Sequence, residues 1–202
     1  MKSTLSIDVA APPELVGEAP ADHVATGTAE RIFPETGKAT VFALEISPDG
    51  KTIYIGTDNG TEQSTLIAMD AKTKKIVAKH DFVPAPAGVG QTLVSRRTGQ
   101  IAMTLTVGSY SEIRILDGKT LAQKSAVKMP LGQGAAVDWS DDGHRLAVHW
   151  STPSTPTTLF TIDVATGTST AIRTEPRPTL QNMPEIEARV VEIPAFDGGK
   201  IP

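Results

Sequence analysis

One pattern is written three times along this chain, and it leaves few folds open. The first unit starts with the apolar run Val41-Phe42-Ala43-Leu44-Glu45-Ile46, followed by the tight turn Ser47-Pro48-Asp49-Gly50-Lys51. Proline presets φ there, and glycine supplies the positive φ that closes a hairpin. Thr52-Ile53-Tyr54-Ile55-Gly56 reads as the partner strand, Asp58-Asn59-Gly60 as a turn, and Thr65–Asp70 as a third strand. Ala71–Lys75 turns the chain into a fourth strand, Ile76–Lys79.

The second unit runs through Gln91–Ser95, the turn Arg96–Gly99, the strand Gln100–Leu105 and Glu112–Asp117, and Gly118–Leu121 completes it. The third runs through Ala135–Ser140, the turn Asp141–His144, the strand Arg145–Trp150 and the strand Leu159–Asp163, closed by Val164–Thr168. Turn glycines at 50, 99 and 143 recur after 49 and 44 residues, and strand-ending aspartates at 70, 117 and 163 after 47 and 46. Four strands per period of about 40–50 residues is the sequence signature of β-propeller blades. The competing architecture is a β-sandwich with accidental turn similarity.

The fold expected is therefore all-β: an incomplete propeller of three four-stranded blades plus part of another. The blades are expected over residues 41–175 (about 41–85, 86–130 and 131–175), with a partial preceding blade and an irregular segment over 1–40. Within that first stretch, Ala29–Gly37 reads as the outer end of a preceding blade. Residues 176–202 read as a linker, then a strand, a glycine-containing turn and the start of a second strand. Helical periodicity is almost absent; Pro184–Arg189 is helix-friendly but short.

Composition narrows the chemistry. With 39% hydrophobic and 21% charged residues, the chain can bury a core. A net charge of −4 leaves no basic surplus for nucleic acid or an anionic membrane, and neither is expected as a partner. Lys72, Lys74 and Lys75 read as a solvated turn. The absence of cysteine removes disulfides and thiolate metal sites, and fits a cytoplasmic or a periplasmic setting. No segment approaches the roughly 20 apolar residues of a membrane span, and Met1–Asp8 has no apolar core of a signal peptide.

Site motifs are few. His23, His80, His144 and His149 form no i, i+4 pair. His149 stands beside Trp150, and a packing role is expected for that pair. Asp70, Asp117 and Asp163 are expected to bond the backbone N–H groups of their own turns rather than to form a ring of carboxylates. Asn59-Gly60-Thr61 reads as a turn in preference to a glycosylation site, and Gly88-Val89-Gly90 lacks the strand–helix context of a phosphate loop. No catalytic, cofactor-binding or metal-binding residue is expected, and no cofactor.

Blades carrying Ser-Pro-Asp-Gly-Lys at 47–51 and Asp-Val-Ala-Thr-Gly at 163–167, followed by Val-Glu-Ile-Pro-Ala-Phe-Asp-Gly-Gly-Lys-Ile-Pro at 191–202, resemble the prolyl oligopeptidase family of serine peptidases. The resemblance covers about residues 41–202, and the stretch from Val191 to Pro202 is its more specific part. In that family a propeller sits over a C-terminal α/β-hydrolase domain, which a strand and hairpin of this form opens. The family's Ser-His-Asp chemistry needs a G-x-S-x-G elbow. The nearest string, Gly167-Thr168-Ser169-Thr170-Ala171, ends in alanine at a hairpin turn. The resemblance thus implies a propeller that shapes substrate access to a hydrolase domain of the same parent chain, absent from this chain, with a peptide as substrate. The chain alone is expected to be inactive. The alternative is a stand-alone binding propeller of WD40 or TolB type. A propeller enzyme acting on sugars or lactones finds no clustered acid pair to support it.

Overall fold

In the computed structural model, the described residues are 31–58, 64–82, 88–172, 186, 189 and 191–201. Three four-stranded antiparallel meanders follow one another. Blade 1 holds β1 (Val41–Ile46), β2 (Thr52–Thr57), β3 (Thr65–Asp70) and β4 (Ile76–Asp81). Blade 2 holds β5 (Gly88–Val94), β6 (Ile101–Val107), β7 (Tyr110–Leu116) and β8 (Gln123–Ala126). Blade 3 holds β9 (Gln133–Trp139), β10 (Arg145–Thr152), β11 (Thr155–Asp163) and β12 (Thr168–Ala171). Residues 31–40 carry no strand, but Ile32 and Phe33 pack on the outer face of blade 1. After the blades comes a small hairpin, β13 (Ile193–Pro194) paired with β14 (Lys200–Ile201). Among the described residues no helix is long and apolar enough to cross a membrane. Pro184–Arg189 lies outside the described residues but for Ile186 and Arg189.

Local chemistry sets the turns. In the first turn of blades 1 and 3, a serine hydroxyl donates to an aspartate and accepts the N–H that restarts the chain. Ser47 Oγ donates to Asp49 Oδ1 at 2.7 Å and accepts from Thr52 N at 2.9 Å; Ser140 does the same with Asp142 and Arg145. Blade 2 spells this turn with one more residue, Ser95 to Gly99, closed by Gly99 N donating to Ser95 O. Gly50, Gly99 and Gly143 all take φ near +70°, where a side chain is disfavoured.

The turn between the third and fourth strands follows one rule in every blade. Asp70, Asp117 and Asp163 each accept both the N–H and the hydroxyl of the threonine three residues on. The residue directly after each threonine closes the loop in the left-handed region: Lys74 (φ 60°), Leu121 (φ 57°) and Gly167 (φ 70°). Gly118–Leu121 and most of Val164–Thr168 are turns, and the closing strands start later, at Gln123 and Thr168. The aspartate captures the very N–H groups that a strand would offer its neighbour. β5 also starts earlier than expected, at Gly88, with an irregular register between Val89 and Thr92.

Side chains from successive strands alternate between two interblade layers. Tyr54, Leu66, Ala68 and Phe82 of blade 1 meet Ile101, Met103, Leu105, Leu116 and Leu121 of blade 2. Ala102, Ile113 and Ile115 of blade 2 meet Ala136, Leu146, Val148, Trp150, Ile162 and Val164 of blade 3. β2 and β6 are buried on both faces over 53–57 and 101–105, with Thr104 the polar residue inside the apolar run of β6; β10 is buried on alternate residues.

Candidate binding cleft between the second and third blades

The two turns of each blade described above gather at one end of the blade stack. Their contacts show it: a Cβ on Gly143 would meet Ser95 Oγ and Thr98, and one on Gly118 would meet the Gly99 carbonyl. The opposite end carries the β6–β7 and β10–β11 hairpins and the connection from β8 to β9. That end holds the cleft.

Trp150 builds it. Its indole is 1% exposed, and Nε1 donates to the Pro130 carbonyl at 3.0 Å. The chain then crosses the strand carrying Trp150 so closely that only glycine fits. A Cβ at Gly132 would run into the Ser151 carbonyl, and one at Gly134 into the His149 carbonyl. Three bonds fix this crossing to blade 2: Ser111 N to Gly132 O (2.9 Å), Gly134 N to Ser111 Oγ (3.2 Å) and Gln133 Nε2 to Ser109 O (3.2 Å). Ser151 Oγ donates to Gln133 O at 3.2 Å from the other side.

The result is an open hollow of about 440 Å³ lined by Tyr110, Ser111, Gln133, His149, Ser151 and Thr157, among others. A second hollow of about 290 Å³ adjoins it at Leu131, Pro153 and Arg189. The volumes lie in the range of small-ligand sites. The lining is hydroxyls, an amide and an imidazole, so the cleft offers donors and acceptors but no carboxylate. It is equipped to hold a polar ligand by hydrogen bonds. Among the described residues that line it, Ser151 Oγ is bonded to the Gln133 carbonyl and Ser111 Oγ to the Gly134 N–H. Among the described residues, no group of three or more histidines, aspartates or glutamates could hold a metal ion.

The residues singled out from sequence scatter. His23 and Asn59-Gly60-Thr61 lie outside the described residues. His80 stacks edge-on against Phe82, ring centroids 5.0 Å apart, at the blade 1–blade 2 layer. Burial holds its pKa below the ordinary value, helped by the Arg114 guanidinium nearby. His144 sits exposed in its turn. Of the neighbours His149 and Trp150, the tryptophan packs as expected, whereas His149 is exposed and lines the cleft. Asp70, Asp117 and Asp163 each stay within their own turn. The backbone N–H of Thr120 leads the groups that hold Asp117 down at about 2. Asp70 and Asp163 are lowered by the same threonine geometry. Gly88-Val89-Gly90 is strand. Sequence reasoning passed over Tyr110, Ser111, Gln133 and Ser151. Their one local signal was the Gly132-Gln133-Gly134 spacing, which marks a close backbone approach.

No protein-family model matches this chain, and no curated protein does. Solved structures do. Prolyl oligopeptidase B from Galerina marginata, bound to a 35mer hydrolysis and macrocyclization substrate, is 17% identical with a TM-score of 0.60, over 86% of this chain and 24% of that one. A structure from a study of two prolyl endopeptidases is 17% identical at TM-score 0.55, over 86% and 25%. A chain of the Mitotic Checkpoint Complex is 16% identical at TM-score 0.54, over 73% and 41%. The chain thus spans between a quarter and about two fifths of the lengths of these proteins. At such identities the likeness is one of fold, and with the three meanders above it makes this chain an incomplete β-propeller.

Proposed function

We propose that this chain is the non-catalytic propeller portion of a prolyl-oligopeptidase-like serine peptidase, shaping or gating the access of a peptide to a hydrolase domain of the same parent chain. The observation that carries this reading is the hairpin Ile193–Ile201. Its turn is well built: Gly198 takes φ 83°, Gly199 N donates to Asp197 Oδ1 at 2.9 Å, and Ala195 N donates to Gly199 O at 2.8 Å. Yet Val191 (65%), Ile193 (61%) and Phe196 (105%) are exposed, as apolar residues are when a domain that would cover them is missing. The likeness to prolyl oligopeptidases adds support. It runs over 86% of the chain, whereas the three blades make up only about two thirds of it.

The test is to extend the chain by the next about 250 residues of its gene, the size of a large domain, and assay both forms on a chromogenic prolyl peptide. The extended form should cleave it and be blocked by a serine-reactive phosphonate; the present chain should do neither. Cleavage by the present chain, or a downstream sequence without a G-x-S-x-G elbow, would sink the proposal. A stand-alone binding module is the second reading. It is favoured by the comparable fold likeness to a chain of a multiprotein complex, and a stop codon directly downstream would decide for it.

A further inference from the structure

The three blades serve as controls for one another, and one rim position breaks their pattern. β4, β8 and β12 are the outer strands. Register makes Ile76 the counterpart of Gln123, because Met69↔Ile76 and Leu116↔Gln123 close the same ladder. In both blades the next residue, Val77 or Lys124, is skipped by the pairing as a bulge. In blade 3 the strand opens with Thr168-Ser169 and no bulge. So the fold accepts polar residues here in two blades of three. Blade 1 alone places two large aliphatic residues there, one paired with Met69 and the other bulged, and both lie open: Ile76 is 54% exposed and Val77 61%.

The charges beside them differ at one position. Lys72 and Lys75 are exposed in the adjoining turn, where blade 2 has Lys119 and Ala122, so Lys75 is the added cation. Asp81 accepts from Thr65 and pairs with Lys79 at 2.9 Å, and Asp70, bonded within its turn, offsets Lys72, which leaves Lys75 as the surplus cation of the pair. The patch is thus apolar at its centre and cationic at one side, on a chain that is anionic as a whole.

We infer that this rim docks an extended acidic segment of a partner protein, an aliphatic or aromatic side chain of that segment covering Ile76 and Val77 and its carboxylates meeting Lys72 and Lys75. The bulge interrupts the β4 edge, so recognition runs through side chains rather than through an added strand. A patch this small gives a weak, salt-sensitive complex. The test is fluorescence anisotropy on the whole chain. Its probes are a labelled peptide of Asp, Glu, Leu and Phe, the same peptide with Lys for each acid, and phosphatidylserine-containing vesicles. The acidic peptide should bind in the micromolar range and weaken about tenfold, or 1.4 kcal/mol, in the double variant Ile76→Gln/Val77→Ser, which removes the apolar centre and adds no charge. Gln123 and Lys124 show that the fold takes polar residues at both positions, so the variant's melting curve should not move. Lys72→Ser with Lys75→Ser should weaken binding and flatten its salt dependence. Equal binding by the variants, equal binding of the basic peptide, binding to the vesicles instead, or no binding at millimolar peptide would overturn the inference.

Discussion

The two interblade layers are made from the same repeat but held by different chemistry. The blade 1–blade 2 layer is almost wholly apolar. Among the described residues its polar ties are the Tyr54 hydroxyl, which donates to the Gly118 carbonyl at 2.8 Å, and the half-buried His80, which meets the Leu121 backbone. Thr92 faces this layer beside Met103, and its Oγ1 is buried without a protein partner among the described residues. The blade 2–blade 3 layer has an apolar centre around Trp150 but is stitched at many points. Ala136 N donates to Thr104 Oγ1 (3.1 Å), Trp139 Nε1 to Leu93 O (3.2 Å), Ser125 Oγ to Val164 O (3.1 Å) and Ser169 Oγ to Lys128 O (2.9 Å). Apolar contact is non-directional and fills space, whereas hydrogen bonds fix register. The stitched layer is the one that forms the cleft, where Gln133, Ser111 and Ser151 must be placed to within a bond length.

The largest break in this comparison should come from Trp150→Ala. Emptying the blade 2–blade 3 centre should cost about 3–5 kcal/mol, read as the midpoint shift in denaturant unfolding. Loss of under about 1 kcal/mol would mean that blade 3 is not held by its apolar centre.

Two near-isosteric threonine substitutions sharpen the contrast. Thr104→Val leaves a buried N–H of Ala136 unpaired and should cost about 1–3 kcal/mol. Thr92→Val removes a hydroxyl that gains nothing from the protein, and should be neutral or stabilising by up to about 1 kcal/mol. Opposite signs confirm that the layers differ in kind; like signs would erase the distinction. Tyr54→Phe falls between them, at about 1 kcal/mol destabilising, since a carbonyl keeps a second lone pair for other donors.

The smallest effect expected is a pH dependence of the apolar layer. His80 is held below 6.5 there, so the folded state binds fewer protons than the unfolded one in the interval beneath that value. Stability should therefore fall as pH drops from 6.5 toward the lower folded pKa, and His80→Gln should flatten that limb of a melting-temperature profile. Asp117 acts further down. Its contribution is complete above 3.8 and lost as pH falls through about 2, so this acid limb should survive in His80→Gln. A profile unchanged by the substitution above pH 4 would place the titration elsewhere.

Much of this was legible in the sequence for a local reason. A turn such as Asp117-Gly118-Lys119-Thr120 is specified by bonds spanning two or three residues, and a strand such as Ile101–Leu105 by its own apolar run. The repeat, the three meanders and the C-terminal hairpin all rest on such short-range rules. Leu121 marks the limit of those rules: it takes a left-handed φ in a turn yet is fully buried among residues of both blades. Nothing within a few residues of it announces that.

What tertiary structure alone decided is which faces are covered and what meets across them. Trp150 and His149 are neighbours in sequence, but one is sealed into a layer and the other lines a cleft, because β10 is covered on a single face. Thr92 and Thr104 are alike in sequence, yet only Thr104 finds a partner, 32 residues away. Strands and turns follow from near neighbours along the chain; burial and hydrogen-bond satisfaction depend on which distant segment arrives, and that is settled only when the blades pack.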